Sequence, residues 1–257
     1  MTASKVIALV KFFSDESHAD QFIKGSLYMK RLRYFQQLEA PENDDGRGDA
    51  HEAPVSWHQP DRIELVFDFP GYKPFKVDKN DLAGPLFITR HFYSDMHLFC
   101  LTALSIPDPS LLQGDHDEVQ AKLQAAFQID ERCLDFGPHA VIVSAEKFLP
   151  RLHQSLARCN HWSKADMVDY YDATTFHGDF VAEDVPFWKQ SRFAYQKEFR
   201  VCLQTPTAGD EPLTFEIGDM SAFAIKVRSA DINASLKVTL KQPSANCRSA
   251  LTANGSL

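Results

Sequence analysis

Apolar positions along this chain recur with two periods, and together these lay out the elements. Val6-Ile-Ala-Leu-Val10 followed by Phe12-Phe13 is a nearly continuous apolar run and predicts a buried strand over 6–13. Ser14-Asp15 then offers N-cap oxygens, Ala19, Phe22 and Ile23 fall at helical spacing, and Gly25 ends the helix. Leu27-Tyr-Met29 is a second short strand. Lys30-Arg-Leu-Arg33 and Tyr34-Phe35 follow it, turning into a polar loop over 40–60. The run Asn43-Asp-Asp-Gly-Arg-Gly-Asp-Ala-His-Glu52 within that loop favours turns over regular structure. Long loops of this kind are uncommon in compact domains and often carry function. Residues 62–69 alternate through Ile63, Leu65, Phe67 and Phe69 and read as a strand closed by Pro70-Gly71. Residues 97–104 are almost entirely apolar, as in a central strand covered on both faces.

Ile106-Pro-Asp-Pro109 breaks the pattern, and Asp115 starts a helix with Val119, Leu123 and Phe127 on one face. Residues 140–143 predict a short buried strand. Ser144 then caps a helix carrying Phe148, Leu149, Leu152 and Leu156, with Pro150 tolerated near its start. Residues 167–172, 213–217 and 222–227 read as strands and 178–186 as an acidic loop. The expected architecture is a single α+β domain over 1–240, with a mixed, mainly antiparallel twisted sheet flanked by short helices. The small polar residues of 241–257 predict a C-terminal tail.

The most informative stretch is Phe193-Ala-Tyr-Gln-Lys-Glu-Phe-Arg-Val-Cys-Leu203. Read as a strand, it places Phe193, Tyr195, Phe199, Val201 and Leu203 on one face and Gln196, Glu198 and Arg200 on the other. That polar row is either a solvated face, whose Glu–Arg pair would contribute only about 0–1 kcal/mol, or the floor of a polar site.

Composition narrows the classes. Twenty phenylalanines among 257 residues predict an aromatic core, and a formal net charge of −8 argues against general binding to nucleic-acid phosphates. Five cysteines stand singly, with neither zinc-ligand spacing nor a disulfide framework, and no metal site is expected. The apolar run at 6–10 is too short for a signal peptide and no stretch of about 20 apolar residues occurs. The expectation is a cytoplasmic protein with no membrane span.

Several groups carry candidate chemistry. Arg47, Asp49, His51 and Glu52 form the densest polar cluster, in which Arg47 would grip a phosphate, against the plainer reading of a solvated acidic loop. Lys30-Arg-Leu-Arg33 followed by Tyr34-Phe35 would cradle a pyrophosphate or a short nucleic-acid segment, against the reading of a strand edge with Leu32 inward and the charges solvated. His97, beside an aromatic segment, is a candidate contact or a satisfied structural histidine. Trp188, preceding Lys189, would stack on a ring or belong to the core.

Gln196-Lys197-Glu198-Phe199-Arg200-Val201 resembles the Gln/Glu-x-Glu element of the ADP-ribosyltransferase-like fold, and the strand–helix–strand opening is similar to the start of that fold. The resemblance implies an enzyme using NAD as cofactor. Glu198 would stabilise an oxocarbenium-like ribosyl centre, and Gln196 would orient the substrate. Arg47, Tyr34, Arg200 and His97 are the candidate cofactor contacts. The implied partner is a macromolecular acceptor or another protein, in a bacterial toxin or phage-defence effector. Where those enzymes place a His or Arg on the first strand, this chain has Lys11, and their Ser-Thr-Ser element is echoed only by Thr102 and Ser105. The chain is also similar, over most of its length, to a broad group of uncharacterised bacterial proteins of domain-of-unknown-function type. Phe12-Phe13, Gly25-Ser-Leu-Tyr28, Arg47-Gly-Asp-Ala-His-Glu52 and Tyr195-Gln-Lys-Glu-Phe-Arg200 carry that likeness. The competing class is a non-enzymatic binding protein of phage defence or counter-defence that docks through the loop at 40–60.

Overall fold

The structure is a computed structural model that describes residues 5–38, 48–106 and 112–240. The expected tail at 241–257, the first part of the 40–60 loop and the candidate Arg47 lie outside the described residues.

Strand β1 (Lys5–Phe13) leads into helix α1 (Glu16–Ile23), whose first turn is capped by Asp15 accepting the Ser17 amide at 2.7 Å. Gly25 has φ 100° and opens β2 (Ser26–Arg31); a Cβ there would lie 2.2 Å from the carbonyl oxygen of Gly218. The expected turn after β2 is instead helix α2 (Leu32–Leu38). Leu32 and Phe35 turn one face of that helix into the core, at a spacing of three that the neighbouring charges conceal in the sequence.

Short strands β3 (Ser56–His58), β4 (Leu65–Phe67), β5 (Phe75–Val77) and β6 (Leu86–Ile88) and helix α3 (His91–Ser94) precede the long β7 (His97–Ile106). The strand expected over 62–69 contracts to β4, which pairs only with β5 and leaves Phe67, Phe69 and Phe75 exposed. Helix α4 (His116–Ala126), strand β8 (His139–Ser144) and helix α5 (Ala145–Ala157) lie where the periodicity puts them, although Ser144 makes no side-chain cap. The strand expected over 167–172 is divided into β9 (Ser163–Met167), which pairs β13, and β10 (Asp169–Tyr171), which pairs β12. Strands β11 (Gly178–Asp179), β12 (Trp188–Gln190), β13 (Glu198–Leu203), β14 (Leu213–Glu216) and β15 (Ala224–Arg228) and helix α6 (Ile232–Ser235) complete the described chain.

The main sheet follows the order β14-β2-β7-β1-β8-β15, with β13 pairing β7 and β9 pairing β13, and every pairing in it is antiparallel. The parallel pair β10–β12 and two small antiparallel sheets sit beside it, so this single α+β domain has mixed, mainly antiparallel strands. Leu9, Phe22, Phe99, Leu101, Phe148 and Leu152 pack one face of the sheet against α1 and α5. On the other face lie two further clusters, one around Leu98, Trp57 and Tyr171 and one around Val10, Phe12 and Cys133. Among the described residues no helix is long and apolar enough to cross a membrane.

One side of β7 is split. β1 pairs with it only as far as Val10↔Thr102, then stays with β8, while β2 joins at Lys30↔Leu98. Among the described residues, the intervening Phe99, Cys100 and Leu101 therefore have a strand partner on the β13 side alone. Lys11 bridges the gap, its Nζ donating to the Cys100 carbonyl at 2.8 Å.

Gly25→Ala is expected to lower unfolding stability by about 2 kcal/mol or more, since the methyl group meets the Gly218 backbone at a positive φ. Urea unfolding indistinguishable from that of the parent would contradict this close approach.

Candidate functional site

The site begins with a correction to the strand read over 193–203. Residues Ser191–Gln196 form a 3-10 helix and strand β13 starts only at Glu198. Phe193 and Tyr195 find partners without strand alternation: the Lys189 ammonium lies 4.6 Å from the Phe193 ring centroid and the Arg132 guanidinium 3.7 Å from that of Tyr195. Lys197 joins the two segments in the left-handed region, at φ 45°. From β13 onward the alternation holds, and Glu198 and Arg200 share a face opposite Thr102 and Cys100 of β7.

That face is not solvated. Arg200, Glu198, Glu52 and Lys189 are all at most 4% exposed. Arg200 Nε donates to Glu198 Oε1 at 2.7 Å, its Nη2 to Glu52 Oε1 at 2.6 Å, and its Nη1 to the Pro186 carbonyl. Lys189 Nζ lies 3.3 Å from Glu198 Oε2, 3.8 Å from Glu52 Oε2 and 2.9 Å from Gln196 Oε1. Two carboxylates thus face two cations, all out of water. Desolvating an ion costs several kcal/mol even after relaxation, so each charge here depends on the others.

The electrostatics follow from that arrangement. Burial alone would raise the pKa of Glu198, but Arg200 and Lys189 more than offset it and hold the carboxyl well below the usual carboxylate range. Burial pulls Lys189 down, yet Glu52 and Glu198 leave it raised, and Arg200 is raised further still. The Cys100 thiol is pushed up to about 12 by burial, with the Glu198 charge adding to the effect, so it stays protonated.

The network forms the floor of a cavity of about 290 Å³ in the split of the sheet. Phe12 and Phe13 of β1, Tyr28 and Lys30 of β2, Tyr34 and Phe35 of α2 and the unpaired stretch of β7 make its walls. Apolar walls with a few convergent polar groups are the usual make-up of a small-molecule site.

Backbone strain is concentrated here as well. Among the described residues, the non-glycine positions with positive φ are Ala53, at 55°, and Lys197, at 45°. One follows Glu52 and the other precedes Glu198. Such a conformation costs of order 1–3 kcal/mol and persists only where the surroundings enforce it. At Lys197 the enforcement is visible: its carbonyl accepts the Ala103 amide at 2.8 Å and its Nζ donates to the carbonyl of Ala126 at 2.9 Å. Beyond it, the Glu198 amide donates to the Tyr170 hydroxyl at 2.9 Å.

Gln196, Glu198, Arg200 and Tyr34 all border the cavity. Gln196 reaches it from the end of the 3-10 helix rather than from a strand. His97 does not border it. It lies opposite Leu203 at the other end of β7, where its Nε2 is 3.1 Å from the Glu211 carbonyl, and burial lowers its pKa. It is five residue steps from Thr102, a span of about 17 Å along a strand. Asp49 is buried beside the network, its Oδ1 accepting the His51 amide at 3.0 Å. Lys189 has little local signal in the sequence beyond being a lysine that follows a short apolar segment, Val185-Pro-Phe-Trp188. Among the described residues no group of three His, Cys, Asp or Glu side chains is placed to hold a metal ion.

No protein-family model matches the chain, and no curated protein and no solved structure matches it either.

Glu198 adds stability that is complete above about pH 4.3, the value of an unfolded glutamate, and is lost as pH falls toward its lower folded pKa. Arg200→Met is expected to cost about 3–5 kcal/mol in urea unfolding at pH 7, because it strands two buried carboxylates. A cost below about 1 kcal/mol, the range of an exposed pair, would contradict the buried network.

Proposed function

We propose that the cavity is a nucleotide site and that the protein acts on NAD at the bond between ribose and nicotinamide. The product is either ADP-ribose transferred to a macromolecular acceptor or the hydrolysed cofactor. The observation that carries this reading is an ionised carboxylate, Glu198, fixed in the floor of an aromatic-walled cavity with the Gln196 amide beside it.

In this chemistry the C1′–N bond breaks and its electron pair leaves with nicotinamide. The ribosyl centre becomes oxocarbenium-like, and the attacking oxygen forms the new bond and releases its proton. In the ground state the positive charge sits on the nicotinamide ring, and a rigid negative charge near C1′ favours its transfer to the ribosyl centre. Glu198 suits the task because Arg200, Lys189 and the Tyr170 hydroxyl fix its position at no reorganisation cost during reaction. Gln196 is oriented by Lys189 and by the Tyr195 hydroxyl, 3.3 Å from its Nε2, and would direct a ribose hydroxyl or the acceptor. The aromatic walls offer faces on which a flat ring can stack.

A second reading, a binding protein without turnover, is favoured by a separate observation. Both oxygens of Glu198 are engaged, Oε1 by Arg200 and Oε2 by Lys189, and the four charges cancel. In that reading the network is a stiff floor and the cavity receives a ligand or a partner's side chain.

Release of nicotinamide from NAD, followed by chromatography, separates the two. Glu198→Asp keeps the charge but withdraws the carboxylate by one carbon, and is expected to slow release by about 100-fold or more while remaining folded by circular dichroism. No release by the parent protein, together with a raised melting temperature in NAD, would favour binding without turnover. Neither release nor stabilisation would contradict the nucleotide site.

A further inference from the structure

The cavity has a second polar end, away from the carboxylate floor. Lys30 of β2 lines it, with its Nζ 4.5 Å from the ring centroid of Tyr34 and 5.6 Å from that of Tyr28. His18 of α1 stacks on Tyr28, the rings 6.4 Å apart and within 3° of parallel. Tyr28 is about half exposed, so this end is the mouth.

Lys30 differs from the other cations of the lining. Arg200 and Lys189 are satisfied by Glu198 and Glu52, and Lys11 is engaged on the Cys100 carbonyl. Lys30 has no carboxylate within ion-pair distance among the described residues; only aromatic faces hold it. Of the described residues lining the cavity, four are positive (Lys11, Lys30, Lys189, Arg200) and two negative (Glu52, Glu198). The described part of the lining therefore carries an excess of two positive charges in a chain whose formal net charge is −8. A concave surface with an excess of one sign and low-dielectric walls concentrates the opposite charge at its mouth.

A lysine resting on aromatic rings gains about 0.5–1 kcal/mol from them, less than the roughly 1.5–3 kcal/mol of a hydrogen bond to a charged group. An incoming anion thus gains a strong partner without breaking an existing ion pair. The rings also fix where the ammonium sits, lowering the entropy lost on binding.

We propose that Lys30, with His18 and Tyr28, forms an anion subsite that takes the phosphate of a phosphorylated nucleoside whose sugar end lies toward Glu198. The proposal rests on the nucleotide reading of the cavity and adds to it the place where the phosphate binds and the residues that hold it. Lys30 is a binding residue and takes no part in bond breaking.

Calorimetric titration of the whole chain with nicotinamide mononucleotide and nicotinamide riboside tests it, since the two probes differ only by the phosphate. The parent protein is expected to bind the mononucleotide about ten-fold tighter or more. Lys30→Met is expected to abolish that difference while leaving riboside affinity unchanged, and Lys30→Arg to keep most of it. Added salt should weaken only the mononucleotide. Equal affinities in the parent, or a preference that survives in Lys30→Met, would overturn the subsite. Riboside binding without phosphate preference removes the subsite but leaves the nucleoside-binding cavity. Mononucleotide preference without cleavage of NAD keeps the subsite and removes the role proposed for Glu198. Binding of neither probe overturns both.

Discussion

The structure depends on one interaction, the Arg200 guanidinium shared between Glu198 and Glu52. It joins strand β13 to a loop 148 positions earlier in the chain. Lys189, arriving on β12, supplies the second positive charge. Removing any one of the four would leave an uncompensated ion in a region closed to water, and the cost would reach every element that delivers a partner. This explains why short, irregular segments are held so firmly around β13. The 3-10 turn before it, the left-handed Lys197 and the Tyr170 hydroxyl all act on the position of a single carboxylate.

The split in the sheet gives that carboxylate something to face. Had β1 and β2 both paired fully along β7, the polar row would have been sealed beneath a continuous sheet. Instead β1 leaves with β8 and β2 arrives late, so Cys100 is reached from the gap by Lys11. Cavity, charge network and backbone strain therefore coincide in one place. Stability alone does not call for such a combination, because well-packed apolar side chains would fill the same space at lower desolvation cost.

Much of the frame is legible in the sequence, because it depends on local periodicity. The apolar run of β1, the Asp15 cap and Gly25 stop of α1, and the near-continuous apolar β7 each follow from residues that neighbour one another. Glu198 and Arg200 share a face by strand alternation, which is also local. Gln196 was assigned to the site by extending that alternation two residues too far. It reaches the site because Lys197 adopts a left-handed conformation that nothing in its side chain announces. The partnership of Glu52 with Arg200 is a long-range fact, joining residues 148 positions apart, and Lys189 reaches Glu198 across nine positions only because a 3-10 turn intervenes. Helix α2 escaped notice because its buried face is only Leu32 and Phe35 between charged and polar residues.

The two ends of the cavity are chemically distinct: a compensated charge array at the floor and a lysine on aromatic faces at the mouth. The floor is the part from which the rest follows, and its defining property is that Glu198 stays ionised although buried. Carbon-13 NMR of the glutamate carboxyl groups, with the Glu198 resonance assigned by its loss in Glu198→Gln, reads that property directly. The resonance is expected to remain at its ionised position as pH is lowered through about 4.3, where an ordinary glutamate is half protonated. A titration midpoint at or above that value would contradict the charge network as the foundation of the site.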